Sequence, residues 1–209
     1  MHDDDDTIGA MRQAFAAWLE VVTAAGASAR LRQQQAPLPA PVANAPREHF
    51  AAMGVKYTDT EPSHGRKYVG TGDLHVEHAP GGAHVAVGLA LYEDDAAFWW
   101  IDGQPLVLPP GQPAGLQLDS IAQWLDAHTL AIQVGGLDHP LADPRMHTAL
   151  GAMRGLLLHD AARSQSTVAL PAPDEHWGDP VAKRQGRSVA IFAERDQPSA
   201  APARVLVWP

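Results

Sequence analysis

His75, Glu77 and His84 are the residues whose types and spacing come nearest to a reactive set. Alternate positions of an extended strand project to one side, so His75 and Glu77 share a face. The Pro80-Gly81-Gly82 stretch turns the chain back and brings His84 opposite Ala79, onto that same face. Two imidazoles and one carboxylate so placed form an open site for iron, manganese or zinc, and hence a metal-dependent enzyme. The plainer reading is three polar residues on the solvent side of a half-buried hairpin. His78 falls on the apolar face with Val76 and Val85, as a core or rim histidine.

Other residues point to recognition. In Phe98-Trp99-Trp100, Trp99 faces away from its two neighbours. If exposed, it suits a protein partner or a sugar ring; a sheet covered on both sides accounts for it without function. The loop from Leu137 to His147 holds His139 and Arg145 among two prolines and reads as a recognition loop anchored by Arg145, or as a plain connection. In the loop Pro171 to Pro180, His176 and Trp177 offer the same choice, with Trp177 packed inside or presented to a partner. Nucleophilic catalysis has no Gly-x-Ser-x-Gly elbow and no cysteine to support it, and neither a Walker loop nor a dinucleotide fingerprint is present.

Charge narrows the partners. Fifteen Lys and Arg stand against twenty-four Asp and Glu in 209 residues, for a net charge of −9. A polyanion needs a basic stripe, and Lys183, Arg184 and Arg187 are too few to make one, so nucleic acid is not expected. No membrane partner is expected either, since apolar runs fall short of a span, and an acidic start with no basic n-region favours the cytoplasm.

The positioning elements follow from periodicity. Ile8, Met11, Phe15, Trp18, Leu19 and Val22 line one face of a helix over residues 7–25, with Asp3 to Asp6 before it and Gly26 at its end. Residues 1–32 are therefore a helical segment, 33–65 a Pro/Ala-rich linker and loop, and 66–209 a β-rich domain. The hairpin of residues 74–92 pairs Leu74 with Leu89, Val76 with Val87 and His78 with Val85. Further strands are expected at 97–102, 105–108, 121–125, 129–134, 154–160, 166–170, 181–184, 188–194 and 204–208. The fold class is mainly β: antiparallel four-stranded meander units, propeller-like or stacked as a sandwich, with one N-terminal amphipathic helix.

Trp124-Leu125-Asp126, then Thr129-Leu130-Ala131-Ile132, then Gly155 to Asp160 resemble one blade of a β-propeller of the WD-repeat or TolB type, best over residues 120–172. The resemblance implies repeated four-stranded sheets and a binding platform. The functional expectation is a non-enzymatic protein-binding module of bacterial type, an acidic inhibitor or immunity-type protein whose partner is basic. Its contacts would be Trp99, His139, Arg145, His176 and Trp177. The alternatives are the metal-dependent enzyme at His75, Glu77 and His84, and a carbohydrate-binding module. No cofactor is expected beyond a divalent metal at that set.

Overall fold

The computed structural model describes residues 3–23, 39–43, 56–57, 65–68, 72–91, 97–113, 115–136, 154–196 and 201–208. They are mainly β, in three antiparallel sheets with one long N-terminal helix. The chain divides into two compact units, Met1–Glu93 with Ala97–Val107, and Asp94–Ala96 with Leu108–Pro209. That division falls inside residues 66–209, which the sequence alone presents as one body. Among the described residues no helix is long and apolar enough to cross a membrane.

In the first unit, α1 spans Asp3–Thr23 and α2 is a single turn, Ala40–Ala43. The helix begins earlier than its apolar periodicity requires, so Asp3 to Asp6 form its first turn, where negative charge meets the positive end of the dipole. Among its described side chains Met11 and Trp18 are buried, and Phe15 is only half-buried, stacked on Trp18 at 5.4 Å. The α2 turn lies within the segment read as linker. Proline is tolerated in a first helical turn, where its missing N–H has no partner to lose. Val42 donates its N–H to the Pro39 carbonyl at 2.9 Å, and its side chain is fully buried.

Six strands form one meander in chain order: β1 (Lys56–Tyr57), β2 (Gly65–Tyr68), β3 (Gly72–His78), β4 (Val85–Leu91), β5 (Ala97–Ile101) and β6 (Gln104–Leu106). The β3–β4 register is the one expected from sequence, Leu74 opposite Leu89, Val76 opposite Val87 and His78 opposite Val85. Gly81 at φ 81° and Gly82 at φ 71° supply the turn. Asp102 at φ 48° and Gly103 at φ 81° make the two-residue turn between β5 and β6, the left-handed pair that Asp-Gly favours. Strand β5 is buried throughout. Trp18 of α1 meets Trp100 edge-on with ring centres 4.7 Å apart, so the helix covers that face.

The second unit holds two sheets. The four-stranded one has order β10-β9-β8-β7, from β7 (Leu116–Trp124), β8 (Thr129–Gly136), β9 (Arg154–Asp160) and β10 (Gln165–Ala169). Strand β7 starts five residues before its expected beginning, because a bulge between Leu118 and Ala122 hides the alternation. The three-stranded sheet is β11 (Val181–Gln185), β12 (Ser188–Phe192) and β13 (Arg204–Val207). The two share a core in which Leu156 and Leu158 meet Val189 and Ile191, closed by Trp177 and Trp208. Gln133 of β8 ties the sheets together through its amide, which donates to Asp179 at 2.6 Å and to the Pro180 carbonyl at 3.0 Å.

Candidate functional site

The hairpin set is not laid out as the sequence implies. His75 and Glu77 do share a face, but that face is buried, with His75 4% and Glu77 1% exposed, so they are not solvent-side residues. Trp99 lies on this same face. It pairs with Gly88, where an added Cβ would stand 2.7 Å from its ring, and its ring centre lies 6.2 Å from that of His75. His84 is engaged elsewhere: its Nδ1 is 2.7 Å from Asp102 Oδ2, while Asp102 Oδ1 accepts the Val85 N–H at 2.9 Å. The imidazole therefore bridges the β3–β4 and β5–β6 turns. Among the described residues, no group of three His, Asp or Glu side chains is gathered as a metal would require.

The two tryptophans expected as contacts are interior. Trp99 is 0% and Trp177 1% exposed, Trp177 within the core of the second unit, so neither offers its ring to a partner or a sugar. Trp177 lies under the Arg204 guanidinium, 5.5 Å above its ring centre. His176, beside it, is exposed. His139 and Arg145 lie outside the described residues.

The loop carrying His176 is held in shape. Glu175 N–H donates to the Ala172 carbonyl at 2.9 Å, and Glu175 Oε2 accepts the Ala172 N–H at 2.9 Å. Glu194 Oε1 accepts the Gly178 N–H at 3.0 Å, and Trp177 drops into the core. Asp174, Glu175 and His176 are thereby presented to solvent on a fixed frame.

A second polar group lies at the turn end of the four-stranded sheet; its Asp126, Thr129 and Asp160 fall in the blade-like motif, but their assembly with Arg163 and Arg184 was not expected from sequence. A pocket of about 400 Å³ is lined there by Asp126, His128, Thr129, Asp160, Arg163 and Arg184. Asp126 Oδ1 accepts the N–H groups of His128 (2.8 Å) and Thr129 (2.7 Å). Its Oδ2 accepts the Thr129 hydroxyl at 3.1 Å and lies 3.3 Å from Arg184 Nε. The Thr129 hydroxyl in turn accepts the Trp208 indole N–H at 3.1 Å. Asp160 accepts the Arg163 backbone N–H at 3.1 Å and its guanidinium at 2.5 Å.

Burial pushes the Asp126 carboxyl up, but the backbone N–H groups of His128 and Thr129, the Thr129 hydroxyl and the Arg184 charge outweigh it and leave the group below its ordinary value. Asp160 is likewise held low, burial being outweighed by its bonds to Arg163. A carboxylate held this low is a poor general base near neutrality, so the two groups brace turns in preference to moving protons. The arrangement is invisible in sequence because it needs residues 126–129, 160–163 and 184 to become neighbours.

His159 and Ser166 are a further pair that only register reveals, facing each other across β9 and β10 with Nδ1 and Oγ 2.9 Å apart. No protein-family model, curated protein or solved structure matches the chain.

Proposed function

We propose that the protein is a non-enzymatic binding module, of the acidic inhibitor or immunity kind, that takes a basic protein as its partner. The observation that carries this reading is the 171–180 loop, which displays Asp174, Glu175 and His176 on a frame fixed by buried Trp177. A loop ordered before binding loses little conformational entropy on association, so its contacts convert more fully into affinity. Charge supports the same partner: residues 1–107 carry fourteen acidic and seven basic side chains, residues 108–209 ten and eight. Such an excess steers a basic partner at ranges up to about a Debye length. The resemblance of residues 120–172 to a propeller blade, a common binding platform, agrees with it.

The test is capture of partners from the source cells, followed by association kinetics of the captured protein at low and high salt. The expected result is a basic partner whose on-rate falls steeply with salt, and falls severalfold again with Asp174→Lys while the circular dichroism spectrum is unchanged. An acidic partner, or an on-rate indifferent to salt, would overturn the proposal.

A further inference from the structure

Strand β13 is the edge of its sheet and, among the described residues, pairs with β12 alone. It also carries the most exposed large apolar side chains described, Val205 at 54% and Val207 at 87%. Edge strands are ordinarily protected by a lysine, an inward charge, a proline or a bulge. Between Arg204 and Trp208 the sequence Val205-Leu206-Val207 has none of these.

The direction of the free backbone groups follows from the ladder. Trp208 N–H donates to the Arg187 carbonyl at 3.0 Å, one step beyond the Ser188–Val207 pair, so Trp208 turns its backbone groups toward β12. Successive residues of a strand alternate in this respect. Leu206 and Arg204 therefore also bond inward, and the N–H and C=O groups of Val205 and Val207 point outward from the sheet. Both the exposed side chains and the outward backbone groups belong to the same two residues.

We propose that β13 pairs with β13 of a second copy of this chain, antiparallel about a two-fold axis through Leu206, joining two three-stranded sheets into one of six. In this register Val205 of one copy lies opposite Val207 of the other, and each such pair exchanges two N–H···O=C bonds, four in all. The four valines then form one row on one face, as cross-strand β-branched pairs do. A two-fold axis makes the contact self-complementary and closed, so it ends at a dimer.

A second copy fits better than a charged foreign segment because this half of the chain is close to neutral, with ten acidic against eight basic side chains. The charge within the strand, Arg204, sits opposite the Trp208 position of its mate. The two Arg204 residues are offset by four positions, roughly 13 Å along the strand, which exceeds the Debye length of about 8 Å at physiological salt.

The pairing goes beyond the proposed binding of a basic partner, and its test needs no such partner. Sedimentation velocity of the full chain over a range of concentrations is expected to show a monomer–dimer equilibrium. The Val205→Lys, Val207→Lys double variant should weaken it at least tenfold with an unchanged circular dichroism spectrum. Register is read separately, since the chain has no native cysteine. A Val205→Cys chain mixed with a Val207→Cys chain should form a disulfide on mild oxidation, their Cα atoms being about 5.5 Å apart. Either chain alone should not, because like positions stand about 8 Å apart, beyond disulfide reach. A monomer at every concentration, a dimer that persists in the lysine variant, or cross-linking of like positions in preference to the mixed pair overturns the proposal.

Discussion

His75 and Glu77 in the first unit and Asp126 and Asp160 in the second are placed differently along the chain. In the first, His75 and Glu77 lie within strand β3 on a buried face, where His75 neighbours Trp99. In the second, Asp126 and Asp160 stand at strand ends, where backbone N–H groups of their own turns satisfy them. A carboxylate at a turn finds its partners within three residues, whereas one inside a sheet depends on whatever packs over that face. The first kind of satisfaction is local to the turn; the second is a tertiary outcome. The units differ in closure as well, since the first leans a helix on one sheet and the second seals two sheets with Trp177 and Trp208.

The largest expected effects test that closure. Trp100→Ala in the first unit and Trp177→Ala in the second each remove a fully enclosed indole and should cost about 3–5 kcal/mol, read as a fall in urea midpoint. Trp18→Ala should behave similarly, because its ring meets Trp100. Phe15→Ala should cost much less, since Phe15 is only half-buried. Equal losses at Phe15 and Trp18 would mean that α1 docks through a different stripe.

Smaller effects are expected at two glycines, one in each unit. A Cβ at Gly88 would meet the flat ring of Trp99 at 2.7 Å, and one at Gly155 would meet the Ala169 carbonyl oxygen at 2.6 Å. Overpacking of this kind costs about 1–3 kcal/mol. Gly155→Ala should be the worse, because a ring can tilt while a paired backbone carbonyl cannot withdraw without opening the β9–β10 ladder. Chemical denaturation of the two variants ranks them directly.

What could be read from the chain follows the same division between local and tertiary. The β3–β4 register was legible because Gly81 and Gly82 locate the turn and two matching apolar sets leave one alignment. That the opposite face is also buried was not, because nothing in His75, Glu77 or Trp99 reports what covers them. The α1 face was legible as a stripe, yet that Trp18 is buried while Phe15 is only half-buried depends on where Trp100 lies. Strand β7 was half legible: Ala122 and Trp124 alternate cleanly, while the bulge at Asp119 to Ile121 masks Leu116 and Leu118. The pocket at Asp126 was out of reach for want of the sheet order.

Acid should distinguish the units next. Asp126 and Asp160 have folded pKa values below their ordinary one, so their contribution is fully present above about pH 4, the unfolded carboxyl value. It is lost as pH falls through the lower folded values, since protonation must then give up the backbone and arginine bonds. Asp126→Asn and Asp160→Asn should therefore flatten the acid limb of a stability–pH curve below pH 4 and lower the plateau above it by about 1 kcal/mol each. An acid limb identical to that of the unsubstituted chain would show that the turns hold without these charges.

The smallest expected effect concerns the acidic start of α1. Asp3 to Asp6 occupy the first turn, where the unsatisfied N–H groups and the helix dipole present partial positive charge. Each carboxylate there stabilises by a few tenths of a kcal/mol, up to about 1 at low ionic strength. Repulsion within a run of four adjacent aspartates works against that gain, so the sum should fall well short of four independent terms. Replacing all four with asparagine, which keeps the side-chain shape, should lower stability by about 1 kcal/mol or less at low salt. Because these charges are screened, the loss should shrink as salt is raised, in contrast with the buried tryptophans, whose variants should be indifferent to it. A loss that persists in high salt would mean that the aspartates act through direct hydrogen bonds to the helix start and not through the dipole.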